Sequence, residues 1–181
     1  MLRSFNLDIV FFGFMKKLIS IIDNIIRLIG KGVSGLCFIL VLVIVLDVIL
    51  RYLFNAGSVA TAELEWHFFS MIILLGASWA YQENRHVRVD LFYQRIGIRP
   101  RVWVDLLGTM IFLLPFCFVG AYKSIPFVVD SWQIGELSPD PGGLPARYLI
   151  KSAIPIGFIL LGLQGISKLL GHALELMKSD D

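Results

Sequence analysis

Charged residues are scarce in this 181-residue chain, so those set in apolar surroundings mark where chemistry is possible. Asp47 is the acidic residue lying deepest in an apolar stretch, and Arg51 follows it at i+4. An unpaired carboxylate at that depth would be a proton or cation relay. A carboxylate one helical turn from a guanidinium instead neutralises itself, and the self-satisfied pair is the preferred reading. Asp105 lies close to Arg101 and about one turn from the polar end of its stretch, and is read as structural. The three histidines, His67, His86 and His172, are scattered, and bis-imidazole haem ligation needs two of them face to face inside a bundle. No metal-ligand spacing is present, and Cys37 and Cys117 fall roughly 15 Å apart in membrane depth, too far for a disulfide. The sequence contains neither a Walker loop nor a nucleophile elbow. These residue types predict neither catalysis nor a cofactor.

The elements that would position them are apolar and long. Gly32 to Phe54, Trp66 to Tyr81, Val102 to Tyr122 and Tyr148 to Leu170 are nearly free of charge. A helix rises about 1.5 Å per residue and the hydrocarbon layer is about 30 Å thick, so a spanning helix takes roughly 20 residues. Three stretches reach that length, and the second does so when extended to 62–82. With 57% hydrophobic and 17% charged residues, the composition is that of a chain surrounded by lipid. The sequence therefore predicts an all-α membrane protein with transmembrane helices at 32–54, 62–82, 102–122 and 148–170. A cytoplasmic loop (83–101), an outer loop (123–147) and a tail (171–181) connect and close them. A net charge of +2 gives no reason to expect nucleic acid.

Lysine and arginine set the orientation, because cytoplasmic loops carry an excess of both. Twelve of the sixteen lie before the first span, between the second and third, or from the inner end of the fourth span (Lys168) into the tail. Both termini are therefore expected in the cytoplasm.

Residues 1–31 form an N-terminal cytoplasmic segment. Arg3 and the apolar run Ile9–Met15 imitate a secretory signal, but Lys16 and Lys17 interrupt the run and no small-residue cleavage site follows. From Lys16 to Lys31 the polar residues Lys16, Ser20, Asp23, Asn24, Arg27 and Lys31 recur at three- and four-residue spacing among isoleucines and leucines. This pattern predicts an amphipathic helix, either interfacial with its apolar face in the headgroup region or packed on a partner's cytoplasmic side. Met15, followed by two lysines, is an alternative translation start to Met1.

Gly76, Ala77 and Ala80 form a small-residue patch at which another helix backbone can approach. Pro115 and Pro155 each remove a backbone donor within a span, so bends are expected there. The outer loop, rich in proline and glycine with Trp132 and several acidic residues, reads either as a docking surface or as a turn-rich return loop.

Particular motifs carry a family resemblance. Glu63-Leu64-Glu65-Trp66 leading to Leu75-Gly76-Ala77, then Asn84-Arg85-His86-Val87-Arg88-Val89-Asp90, resembles the centre of the small membrane subunit of tripartite ATP-independent periplasmic (TRAP) transporters, the DctQ-like family. Asp130-Ser131-Trp132, Glu136-Leu137-Ser138, Gly142-Gly143-Leu144-Pro145 and Leu163-Gln164-Gly165 are similar to the subgroup associated with mannitol, chloroaromatic compounds or oxo acids. The resemblance covers roughly residues 16–170.

It implies a non-catalytic inner-membrane subunit without cofactor or metal. Its partners would be the lipid bilayer, a large TRAP membrane subunit that moves an organic acid by a sodium-coupled elevator motion, and a periplasmic substrate-binding protein. The small subunit would brace the stator of the large one. On that reading Asp47, Arg51, Glu63, Glu65, Gly76 and Ala80 belong to a charge cluster or subunit interface, with Glu63 and Glu65 near Arg51. His86, Arg88 and Asp90 form an inner-loop motif. Asp130, Trp132, Glu136 and Arg147 are candidates for docking on the periplasmic side. A self-contained four-helix carrier or channel, and a membrane anchor of a redox complex, are the competing classes.

Overall fold

The computed structural model describes residues 2–83 and 97–178, with side chains at 12–83, 97 and 100–176. Helix α1 (Leu2–Phe54) is followed by α2 (Val59–Gln82), α3 (Ile98–Gly108), α4 (Leu114–Gln133) and α5 (Tyr148–Lys178). A π turn at Thr109–Leu113 joins α3 to α4 and makes one rod of them. Four stretches are long and apolar enough to cross a membrane: Phe12–Phe54, Val59–Gln82, Pro100–Gln133 and Tyr148–Leu176. The class is all-α, as the hydropathy pattern predicts.

One difference from the sequence expectation stands out. Where the polar stripe suggests a separate surface helix ahead of the first span, α1 runs unbroken for 53 residues. No proline occurs before Pro100, so nothing in this stretch removes a helical donor. At about 1.5 Å per residue α1 is about 80 Å long, more than twice the hydrocarbon thickness. It ends where Asn55 takes a left-handed φ of 50° and the Ala56 N–H donates to the Leu50 carbonyl at 3.0 Å. Asparagine tolerates that conformation better than most residues.

The early part of α1 is also the part that packs. Ile22 and Ile26, one turn apart, are buried against Leu160 of α5, with Leu75 and Trp79 of α2 and Leu163 of α5 around them. The amphipathic segment thus supplies core to its own bundle, while Ile21, Ile25 and Leu28 on its other side stay exposed. Two glycines allow the contact to be close. A Cβ on Gly30 would enter the Trp79 ring, and a Cβ on Gly157 would stand 2.7 Å from the Leu74 carbonyl oxygen of α2.

The π turn sits just ahead of Pro115, which has no N–H to give the preceding turn. Buried Thr109 opens this turn and shares a 3.0 Å hydrogen bond with the Tyr81 hydroxyl of α2. Pro155 lies within α5 without ending it.

Candidate subunit interface and the two polar ends of the bundle

At the end where α1 stops and α2 begins, carboxylates organise the structure. Asp47 is buried and pairs with Arg51, the i,i+4 partner its spacing predicts. Glu63 does not join that pair, contrary to the expectation that Glu63 and Glu65 cluster with Arg51. Its carboxylate accepts from the Ser138 hydroxyl and, at 2.6 Å, from the Leu144 N–H. Both donors sit in the connection between α4 and α5, so Glu63 ties that loop to the top of α2. A charged acceptor makes such bonds stronger than neutral ones. Gly143 is required here, because its Cβ would lie 2.8 Å from Glu63 Oε2 and collide with Ser138. Neighbouring Gly142, at φ +82°, supplies the left-handed turn.

The remainder of the loop closes on itself. Ser138 N–H donates to the Leu144 carbonyl at 3.2 Å, Arg147 N–H to the Glu136 carbonyl at 3.1 Å, and Glu136 N–H to the Ser131 carbonyl at 3.0 Å. The Glu136 side chain forms an ion pair with Lys151. That hydrogen bond from the Lys151 ammonium holds the Glu136 carboxyl below the usual carboxylate range. Arg147 lies with its guanidinium carbon 5.5 Å from the Trp66 ring centre. Of the four residues read as a docking group, Glu136 and Arg147 are therefore engaged by the chain's own helices, Glu136 by Lys151 of α5 and Arg147 by Trp66 of α2. Asp130 and Trp132 are exposed, with the Trp132 ring 5.1 Å from that of Tyr148.

Other sequence-singled residues fall in mixed places. Glu65 is half-buried, with Oε1 lacking a hydrogen-bond partner among the described residues. Gly76 faces Val33 of α1, where a Cβ would make a 3.4 Å contact, so the small-residue patch serves the chain's own helix pair; Ala80 is half-buried. His67 directs Nδ1 at the Glu63 carbonyl, whereas His172 lies at the far end of the bundle. Cys37 and Cys117 are free thiols, one exposed and one buried. His86, Arg88 and Asp90 lie outside the described residues.

The opposite end is built around Asp23, which in the sequence is one member of the polar stripe of the amphipathic segment. Asp23 Oδ1 accepts from Gln164 Nε2 at 3.1 Å and from the Ser167 hydroxyl at 2.7 Å. The Asp23 carbonyl accepts from Gln82 Nε2 at 2.9 Å. Three helices meet at one aspartate. The available signal was the pair of polar residues Gln164 and Ser167, spaced i,i+3 on α5; both are buried.

Outward, α1 is apolar almost all round. From Phe38 to Phe54 only Leu40, Val43 and Asp47 are less than exposed, a narrow stripe with three- and four-residue spacing. Residues 40–175 match the family described as tripartite ATP-independent periplasmic transporters, DctQ component. The chain belongs to that family. A TRAP transporter small permease protein of Haemophilus influenzae is 26% identical over 147 residues, covering 81% of this chain and 89% of that protein. The ectoine TRAP transporter small permease protein TeaB of Halomonas elongata is 26% identical over 120 residues, covering 66% of this chain and 61% of that one.

This DctQ-family chain is a small TRAP permease subunit and a multi-pass membrane protein. The matched region takes in the Asp47–Arg51 pair, the Glu63-anchored loop and α5, but begins after Asp23 and the core isoleucines of α1.

Proposed function

We propose that this subunit is a non-catalytic brace. It holds the stator of a large TRAP membrane subunit that imports an organic acid or related small solute, coupled to sodium and fed by a periplasmic binding protein. The chain lies in the bacterial inner membrane with both termini in the cytoplasm, as the lysine and arginine distribution favours. The Glu63-anchored loop then faces the periplasm, where Asp130 and Trp132 are available to partners.

The observation that carries this reading is the second half of α1. A helix that touches its own bundle by one narrow stripe and is apolar elsewhere requires lipid or another protein around it. Phe38, Val41, Leu42, Val45 and Leu46 offer that surface. Asp47, the ionisable group within it, is already neutralised by Arg51. Between helices in lipid, association rests on close packing and a few hydrogen bonds, so a broad apolar face suits a permanent partner better than a solute.

The test is to express the chain with the large subunit of its transporter, carrying photo-crosslinking residues at Leu42 and Leu46, and to purify in mild detergent. Copurification with crosslinks from both positions is the expected result. A chain that purifies alone and crosslinks only to lipid would remove the brace proposal.

A further inference from the structure

Beside the stripe that α1 buries in its own bundle runs a second one, which the chain leaves uncovered. Phe14, Leu18, Ile21, Ile25 and Leu28 follow one another in steps of four and three residues, and the same steps lead on through Gly32 and Gly35 to Leu53. All but half-buried Leu18 are exposed, Phe14 at 65% and Leu28 at 73%. A repeat of 3.5 residues is the seam of a helix that packs lengthwise on another helix.

Lipid cannot be its whole cover. Phe14 and Leu53 are 39 residues apart. That is about 58 Å by helical rise, against about 30 Å of hydrocarbon and about 45 Å of bilayer with its headgroups. The neighbouring α2 fixes which part projects: its last residue, Gln82, donates to the Asp23 carbonyl, and its 24 residues already take up about 36 Å. Phe14 lies a further nine residues back along α1, about 14 Å beyond that level. An apolar stripe there faces water unless a polypeptide covers it.

The flank says which polypeptide. Lys17, Asn24 and Lys31 recur at seven-residue steps along the free border of the stripe, and all three are exposed. Border positions of paired helices select the partner by charge. Neither lysine has a carboxylate partner among the described residues, and over 12–32 no carboxylate of α1 is exposed. A second copy in the same orientation would set lysine against lysine, which is unfavourable. Gly32 and Gly35 add a second mark, because glycine weakens a helix interior and a Cβ at either would meet nothing of this chain within 4 Å. The space they leave lets another backbone approach.

We propose that the stripe over 14–35 is a docking seam for an amphipathic helix of the large TRAP subunit whose flanks are acidic. The identity of the partner rests on the brace reading; the seam carries that contact beyond the membrane.

The test places photo-crosslinking residues singly at Phe14, Ile21 and Ile25 on the seam and at Ser20 and Arg27 off it, in the full chain coexpressed with the large subunit, while Leu42 and Leu46 report separately on the brace. Seam positions should crosslink to the large subunit severalfold more strongly than Ser20 and Arg27, and the linked peptide should carry Asp or Glu beside its apolar positions. Lys17→Glu combined with Lys31→Glu should lower copurification severalfold without moving the Tm of the chain alone, since both side chains are exposed. Gly32→Leu should leave that Tm unchanged or raised, leucine being the better helix former, yet weaken the complex. Seam links that reach only lipid or a second copy, equal labelling on and off the seam, or variants that leave the complex intact would overturn the proposal. A silent seam with Leu42 and Leu46 crosslinked to the large subunit would overturn it and spare the brace reading. Seam links to the large subunit with Leu42 and Leu46 labelling lipid alone would uphold the seam and remove the brace.

Discussion

The two ends of this bundle hold their buried acidic groups in different ways. At the end capped by the 134–147 loop, each acidic group at the centre is consumed locally: Asp47 by Arg51, Glu63 by Ser138 and Leu144, Glu136 by Lys151. At the other end Asp23 gathers three helices, yet leaves the carbonyls of Gln82 and Gln164 without donors among the described residues. The first arrangement closes these three groups within one chain and leaves Glu65 Oε1 as the acidic oxygen there without a partner among the described residues. The second joins three helices through one residue. Charge alone therefore does not mark a working site.

Asp23→Ala should break the comparison most strongly. It strands the buried Gln164 amide and Ser167 hydroxyl, and the expected loss is about 3 kcal/mol in unfolding measured by thermal denaturation in detergent. Asp23→Asn, which keeps an acceptor, should recover most of that loss. Next in size is Glu63→Gln, which weakens two charge-assisted bonds and loosens the loop without melting the bundle. Hydrogen exchange at the Leu144 amide should rise about tenfold while the helices keep their protection.

Acid gives a smaller and selective effect. Because the folded Glu136 carboxyl titrates below its usual value, the pair with Lys151 contributes fully above the ordinary glutamate pKa, about 4.3, and is lost as pH falls through the lower folded value. Exchange protection of the Glu136 and Arg147 amides should be flat from neutral pH to about 5 and decline below about 4.3, and Glu136→Gln should abolish that decline. Smallest for stability is Trp132→Ala. This side chain is 67% exposed, so the unfolding free energy should change by less than about 1 kcal/mol, while binding-protein-dependent uptake falls if the exposed loop face docks.

The all-α class and its four apolar helices were legible in the sequence because hydropathy and length are local properties. The Asp47–Arg51 pair was legible for the same reason, being one helical turn apart. What was not legible is what joins residues far apart in the chain. Glu63 resembles a partner for Arg51 until the loop brings Ser138 and Leu144 to it, 75 and 81 residues away. Asp23 reads as one member of a polar stripe until α5 presents Gln164 and Ser167, 141 and 144 residues on. The same packing explains the continuity of α1, since Ile22 and Ile26 serve equally well to sit in a headgroup layer or to fill a core. Periodicity identifies an apolar face; it does not say what covers it.

The central claim is that this subunit supports transport without carrying solute. The direct test is flux into proteoliposomes under an inward sodium gradient, measured for the chain alone and for the chain reconstituted with its large subunit and loaded binding protein. Sodium-driven uptake confined to the full assembly is the expected result. Uptake by vesicles containing this chain alone would contradict the account.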